Sequence, residues 1–321
     1  MKGLRIVKRT IHPIYRPIGW LSGFNPLGRG LPDATATQSN AGPDAGLSLS
    51  IMSFNIRRGT AKDGWNHWIF RRKLVHEILN RYRPDVLGLQ EAMDFQITAI
   101  HRMLPGYEMV GIGSLGGSKG MHTAIFFNAA RFYLSEEGTF WLSDTPDIPG
   151  SRGWGNILPR TCTWARLVEK DSGQAFYFYN THLDHISQRS RKKSVVFLSQ
   201  QIHARSFPDP FALMGDFNAR EGSAPIRFLK GRARLNTKAK GSLSNPTPLV
   251  DTFRLQYPDH RNAVTFHGFR RFLFRFRLDY IFVPSSIRVQ DAKIIQLRWK
   301  KRYPSDHFPL MTRIDIPARA G

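Results

Sequence analysis

The run Leu213-Met214-Gly215-Asp216-Phe217-Asn218 constrains the chain most. Phe211, Leu213 and Phe217 have the apolar character of a strand anchored in a core, and the run closes on an acid, an aromatic and an amide. Side chains alternate along a strand, so Asp216 and Asn218 point one way and Phe217 the other. Gly215 lets a neighbour approach the main chain closely, or lets the strand end abruptly. A carboxylate beside a carboxamide at a strand end suits a water, a metal or a phosphate. Asp and Asn are also common turn formers, so the choice between site and turn rests on the other stretches.

Similar strand ends recur along the chain. Leu49, Ile51, Ser53 and Asn55 share one face of a strand, with Met52, Phe54 and Ile56 on the other. Leu74, Val75, Ile78, Leu79 and Tyr82 have helical spacing, with Arg71, Arg72, Lys73 and Arg81 on the wet side and Pro84 as terminator. Val86 to Leu89 reads as a buried strand ending at Glu91. This helix-plus-strand order indicates an α/β domain.

A helix is expected over Phe95–Leu104, and strands over Tyr107–Gly113, Thr123–Phe127, Phe132–Leu134, Gly138–Leu142, Thr161–Val168 and Gln174–Leu183. The last puts Phe176, Phe178, Asn180 and His182 on one face. Ser187 is placed to cap a helix from about Gln188 to Arg205. Ala224–Leu229 reads as a short helix, and Lys230–Pro248 as a basic loop. Phe274–Val283 alternates, with Arg275, Arg277 and Asp279 on one face. The final strands are Val289–Leu297 and Leu310–Ile316. Ser114–Gly120 is glycine-rich but lacks the spacing of a nucleotide-binding loop.

One ordered domain is therefore expected over 47–317. Residues 1–46 are basic, carry Pro and Gly, show no periodicity and read as an appendage or linker.

A net charge of +23 favours polyanions: nucleic acid, anionic lipid headgroups or phosphorylated small molecules. Cys162 is the one cysteine, which excludes an intramolecular disulfide and a cysteine metal cluster. No apolar run approaches a membrane span, and Pro13 and Pro17 break any signal-peptide core. The sequence leaves the compartment open, favouring the cytoplasm over an organelle-targeting N-terminus, and a monomer is expected.

Taken in order, Ser53-Phe54-Asn55-Ile56, Leu89-Gln90-Glu91, Asn180-Thr181-His182-Leu183-Asp184-His185, Gly215-Asp216-Phe217-Asn218, Arg277-Leu278-Asp279-Tyr280 and Ser305-Asp306-His307-Phe308-Pro309 resemble the motifs of the endonuclease/exonuclease/phosphatase superfamily, the deoxyribonuclease-I-like fold. Gly138-Thr139-Phe140-Trp141-Leu142-Ser143, and Leu158-Pro159-Arg160 before Trp164-Ala165, are similar to one bacterial and fungal branch. The resemblance implies a four-layer α/β (α+β) sandwich: two mixed β-sheets face to face, helices outside, and the site at one edge.

It also implies roles. Glu91 is the main metal ligand, with Asn55 and Asp306 close to the same ion. Oxygen ligands suit Mg²⁺, with Mn²⁺ as the alternative. His307 pairs with Asp279, Asp216 orients and deprotonates the attacking water, Asn218 holds phosphate or that water, and His182 stabilises charge or helps the leaving group. Asp216 and His307 both remain open as the general base. Asn180 belongs to the substrate-binding set. Arg160 either forks onto phosphate or makes a surface salt bridge. Asp184 holds His182, contacts substrate or makes a structural hydrogen bond. His122 stands where the branch often has an acid and is given no catalytic role.

The implied enzyme is a Mg-dependent phosphoric ester hydrolase. Its expected substrate is nucleic acid, with Arg275 and Arg277 guiding phosphates, Trp154 either stacking on bases or covering the core, and activity falling steeply with salt. The alternatives are an inositol phosphate, a nucleotide or a phospholipid headgroup at an anionic membrane, or a non-catalytic polyanion-binding protein of the same fold.

Overall fold

Alternation along the first strand, β1 (Leu47–Asn55), sorts its side chains into two cores. Leu47, Leu49 and Ile51 face a second sheet, and Met52, Phe54 and, just beyond the strand, Ile56 face helices. The computed structural model describes residues 46–237, 241–261, 263–270, 275–300 and 302–317. After β1 come α1 (Trp68–Tyr82), β2 (Val86–Gln90), α2 (Asp94–Met103), β3 (Tyr107–Val110), β4 (Ile125–Asn128), β5 (Phe132–Trp141) and β6 (Thr161–Glu169). Then follow β7 (Ala175–His182), α3 (Gln188–His203), β8 (Phe211–Asp216), α4 (Ala224–Leu229), β9 (Leu235–Thr237), β10 (Gly241–Leu243), β11 (Leu249–Asp251) and α5 (Thr252–Gln256). The chain closes with β12 (Asp279–Pro284), β13 (Arg288–Ile294) and β14 (Leu310–Ile316).

Two six-stranded sheets form, in the orders β13-β14-β1-β2-β4-β3 and β11-β12-β8-β7-β6-β5. Each is mixed: β1–β2 and β7–β8 are parallel and the other neighbours antiparallel. The core between the sheets joins Ile51, Val86 and Ile125 to Phe176, Phe178, Met214 and Ile281. A second core packs Val195, Leu198 and Ile202 of α3 on the outer face of the second sheet. A third packs Val75, Ile78 and Leu79 of α1 on the first. The result is the expected four-layer sandwich. Ser187 caps α3 as expected, accepting the Ser190 backbone N–H at 3.1 Å.

Four local expectations need correction. The two short strands expected over 132–142 are one strand, β5, because a bulge between Leu134 and Glu136 resets its alternation. The loop expected over 230–248 holds the paired β9 and β10. Over residues 275–278 the alternation before Asp279 is not a strand: Phe276 makes an isolated bridge to Phe266, and β12 starts only at Asp279, while Phe274 lies outside the described residues. Arg71 is not on the wet side of α1 but buried. The appendage expected over residues 1–46 lies, except for Gly46, outside the described residues. Among the described residues no helix is long and apolar enough to cross a membrane.

Candidate active site

Strand register builds half of the site. β7 and β8 run parallel with His182 opposite Asp216, and β12 runs antiparallel to β8 with Asp279 opposite Asp216. His182, Asp216 and Asp279 therefore stand in a row across three strands, at the edge where β7 and β8 end. Gly215 makes the row possible. Its φ is +144°, and a Cβ there would lie 1.9 Å from the Thr181 carbonyl oxygen on β7. Asn218 leaves the strand with φ +47°, yet its side chain returns to the row. Its Nδ2 donates to the Leu183 carbonyl at 3.0 Å and approaches His182 Nε2 at 3.0 Å.

Asp216 is the meeting point. Its Oδ2 accepts from Asn55 Nδ2 at 3.0 Å and lies 3.5 Å from His182 Nε2 and 3.8 Å from His307 Nε2. Its Oδ1 accepts the Asn218 backbone N–H at 2.9 Å. Burial, with the Asp279 charge added, pushes Asp216 up to about 7. His307 Nδ1 donates to Asp279 Oδ2 at 2.8 Å. Burial works against a charged His307 ring, but Asp279 and Asp216 outweigh it and raise the imidazole to about 10. His182 goes the other way: burial and then the Arg160 charge hold it well below the usual range, so it is neutral.

The first sheet supplies the other half through residues just past its strand ends. Asn55 ends β1, and its Nδ2 reaches Glu91 Oε1 at 3.3 Å. Glu91 follows β2 in a left-handed conformation, φ +61°, and Arg57 follows β1 at φ +56°. Such backbone costs about 1–3 kcal/mol for a residue with a side chain, so the surroundings must hold it in place. Burial opposes a charged Glu91, but the Arg58 backbone N–H, donated at 3.0 Å, and the Arg57 charge keep its carboxyl below the usual range. Asp306 is raised by burial, with the Glu91 charge adding to it. Two carboxylates in each other's field, one of them buried, form the kind of oxygen donor set that a hard divalent cation relieves. Asp216, Asp279 and His307 also bring donor atoms within 4.8 Å of one another. A protonated imidazole has no lone pair to give, so Glu91, Asp306 and Asn55 fit a cation better.

Arg71 joins the two loops of this half, a role its cationic neighbours in sequence disguise. From α1 it donates to the carbonyls of Ile56, Arg57 at 2.7 Å, Asn66 at 2.9 Å and Pro304 at 3.0 Å. Pro304 leads directly into Ser305 and Asp306, and Ser305 Oγ donates to the Asn55 carbonyl at 2.7 Å. His267 also lies behind Asp306, to whose carbonyl it donates its backbone N–H at 2.9 Å. Its ring packs between Tyr303 and Phe308, each with its centroid at 4.3 Å, and burial lowers it to about 3.

The expected substrate-binding residues fare differently. Asn180 is fully buried between the sheets. Its Nδ2 donates to the Leu89 and Ala124 carbonyls, and its Oδ1 accepts Gln90 Nε2 at 2.7 Å, so it ties the sheets together. Asp184 is fully buried too, and its Oδ1 accepts the backbone N–H groups of Ile186 and Ser187. That is the structural hydrogen bond of the sequence alternatives. Arg160 is no surface salt bridge: it is 4% exposed. Its NH1 lies 3.2 Å from both His182 ring nitrogens, its NH2 2.8 Å from His185 Nδ1 and its Nε 3.6 Å from Asp184. Arg277 is buried in an ion pair with Asp251 and cannot guide phosphates; Arg275 is exposed. Trp154 packs against Phe197 of α3 and donates to Asp144, so it covers the core. His122 is buried, and both its backbone N–H, at 2.8 Å, and its ring Nδ1, at 3.1 Å, donate to the Ala92 carbonyl.

A model of the Endonuclease/Exonuclease/phosphatase family matches residues 52–307. An uncharacterized protein of Acanthamoeba polyphaga mimivirus is 31% identical over 181 residues, covering 53% of this chain and 67% of its own. Among solved structures, an endonuclease/exonuclease/phosphatase from Bacteroides vulgatus aligns with TM-score 0.74 and 25% identity, covering 84% of this chain and 99% of its own. A mannosyl-6-phosphatase of Bacteroides thetaiotaomicron aligns with TM-score 0.70 and 30% identity, covering 83% and 99%.

Proposed function

The chain belongs to the endonuclease/exonuclease/phosphatase family, and from that premise we propose that it is a divalent-metal-dependent phosphoester hydrolase with Asp216 as the group that activates water. The observation that carries this is the placing of one buried carboxylate, at about 7, between the oxygen donors of the first sheet and the histidines of the second. A base poised near neutral pH balances its ionised fraction against its proton affinity.

Glu91 and Asp306, with Asn55, would hold the metal, Mg²⁺ or Mn²⁺. Bound there, the ion supplies Lewis-acid polarisation of a phosphoryl oxygen. Asn55 orients the Asp216 carboxylate through its amide, and Asp216 takes the proton of the attacking water. His307, protonated and fixed by Asp279, places a positive charge beside the reacting centre, where negative charge grows. A protonated His307 cannot accept a proton, which favours Asp216 over His307 as base. Neutral His182 and Asn218 offer hydrogen bonds to the phosphate oxygens, and Arg160 holds His182 from behind.

Two substrate readings have support. The net charge of +23 supports a phosphodiester of nucleic acid. The apolar side chains exposed round the site support a phosphate ester at a lipid surface. The similar mannosyl-6-phosphatase supports phosphate ester cleavage on this frame, without supporting its sugar here.

The test is turnover of DNA, RNA, nucleotides, inositol phosphates, anionic lipids and bis(p-nitrophenyl) phosphate, with Mg²⁺ or with chelator, beside Asp216→Asn. Chelator-sensitive hydrolysis lost in the variant is expected. No metal-dependent turnover of any ester would overturn the proposal and leave a binding protein.

A further inference from the structure

Fourteen large apolar side chains are exposed among the described residues, and their distribution is uneven. Tyr133 and Phe207 lie at the edge opposite the site, and Leu255 and Tyr257 on α5 and just after it. The other ten belong to the site edge. There β1, β2, β3, β5, β7 and β13 end and β4, β6 and β14 begin, as their pairings require. The ten lie in the loops that leave this edge or in the first turn of the helix behind. Surface patches of this kind mark interaction sites.

The apolar tips come with charges. In five separate loops an exposed apolar residue has an exposed cation close in sequence: Trp65 with Lys62, Leu115 with Lys119, Ile157 with Arg152, Ile186 with Arg189, and Trp299 with Lys300. Exposed acids on the same rim are fewer: Asp94, Asp144 and Asp147. Two loops meet where a Cβ on Gly150 would stand 3.7 Å from Leu115, and a third joins where Ser187 Oγ donates to the Trp154 carbonyl at 3.2 Å. Leu115, Ile148, Ile157 and Ile186 therefore stand on three adjoining loops at the edge that carries the candidate site.

We propose that the site edge docks on an anionic lipid surface, and that the phosphate ester hydrolysed is presented in its headgroup layer. The second half of this rests on the hydrolase reading above. Apolar tips enter the boundary between headgroups and acyl chains while lysine and arginine pair with lipid phosphates. A nucleic acid strand would need π-faces on which to stack its bases. Six of the ten tips are aliphatic, Ile69, Ile112, Leu115, Ile148, Ile157 and Ile186, and offer none.

The test uses the full chain and vesicles of phosphatidylcholine with or without about one third phosphatidylserine. The variants are Leu115→Ser/Ile157→Ser/Ile186→Ser, Trp65→Phe, and Tyr133→Ser at the opposite edge. Preferential binding to the anionic vesicles is expected, weakened about tenfold or more in the triple variant and unchanged in Tyr133→Ser. Brominated acyl chains should quench tryptophan fluorescence, with part of the quenching lost in Trp65→Phe.

The triple variant should hydrolyse soluble bis(p-nitrophenyl) phosphate within about twofold of the parent chain, which shows that the site is intact. Failure to bind vesicles, or equal binding by the triple variant, overturns the docking proposal. So does a triple variant that loses an oligonucleotide or a protein instead. Vesicle binding without metal-dependent turnover of any ester leaves docking standing and removes the hydrolase reading.

Discussion

His182, Asp216 and Asp279 owe their places to strand register, whereas Asn55, Glu91 and Asp306 meet through strand ends and loops tied by a buried arginine. The first set stands on one rung across three neighbouring strands of one sheet, where main-chain hydrogen bonds fix each side chain. The second depends on two left-handed residues, Arg57 and Glu91, and on carbonyls gathered by Arg71. The half proposed to handle protons is thus built like a piece of scaffold. The half proposed to hold the cation is built like a clasp, and it should be the easier of the two to disturb from outside the site.

The sharpest test of that contrast is Asp216→Asn. It keeps the shape of the row and removes the proton acceptor, so kcat should fall by about 10³-fold while metal affinity stays close to that of the parent chain. Steady-state kinetics with metal titration checks both. Glu91→Gln should do the reverse. Calorimetric metal binding should weaken by about 100-fold, and rising metal concentration should restore part of the activity.

Arg71→Met reaches the clasp without touching substrate. It strands several buried carbonyls and should cost roughly 3 kcal/mol of unfolding free energy, together with a higher metal concentration for half-maximal rate. Arg71→Lys should recover little, because an ammonium cannot span the same fork of carbonyls. If Arg71→Met lowers Tm but leaves metal dependence unmoved, the clasp is merely structural.

The pH dependence of stability addresses the row. Asp216 is raised from 3.8 to about 7 in the fold, so the native state binds its proton more tightly than the unfolded chain. Metal-free protein should lose stability as pH rises from about 4 to 7, and Asp216→Asn should flatten that part of the Tm profile. His307, raised to about 10, extends the loss from about 6.5 to 10. The smallest effect on rate should come from Asn180→Ala. Losing a cross-sheet bridge costs about 1–3 kcal/mol of stability, while kcat stays within about threefold.

These contrasts match what was legible in the sequence. Strand ends bearing Asn55, Glu91, His182, Asp216 and Asp279 could be read because period-two alternation shows which polar residues a core would not hold unaided. Asn180 defeats the same logic. Gln90 and the Leu89 and Ala124 carbonyls satisfy it from the opposite sheet, and sheet-to-sheet apposition has no local signature. Arg71 was illegible for a related reason. Beside Arg72 and Lys73 it looks like one more solvated cation, and only the fold brings carbonyls distant in sequence to its guanidinium. Arg277 shows the converse, since its partner Asp251 ends β11, distant in sequence, and cancels a charge that alternation alone placed beside Asp279. The strand β5 looks like two strands in the sequence because one bulge breaks its period.

The missing side chain at Gly215 sets a limit on how this sequence can change over time. With the Thr181 carbonyl 1.9 Å from where a Cβ would stand, even alanine must wedge β7 from β8, on the rung next to the one that pairs His182 with Asp216. No single substitution at 215 can be tolerated first and compensated later, because the clash is with main chain and no neighbouring side chain can shrink to relieve it. Histidines and acids of the row can in principle be exchanged for other chemistries one at a time, but the spacer between the two strands cannot. Variant libraries built on this frame should therefore find position 215 more intolerant than several residues of the candidate site when the readout is folding alone.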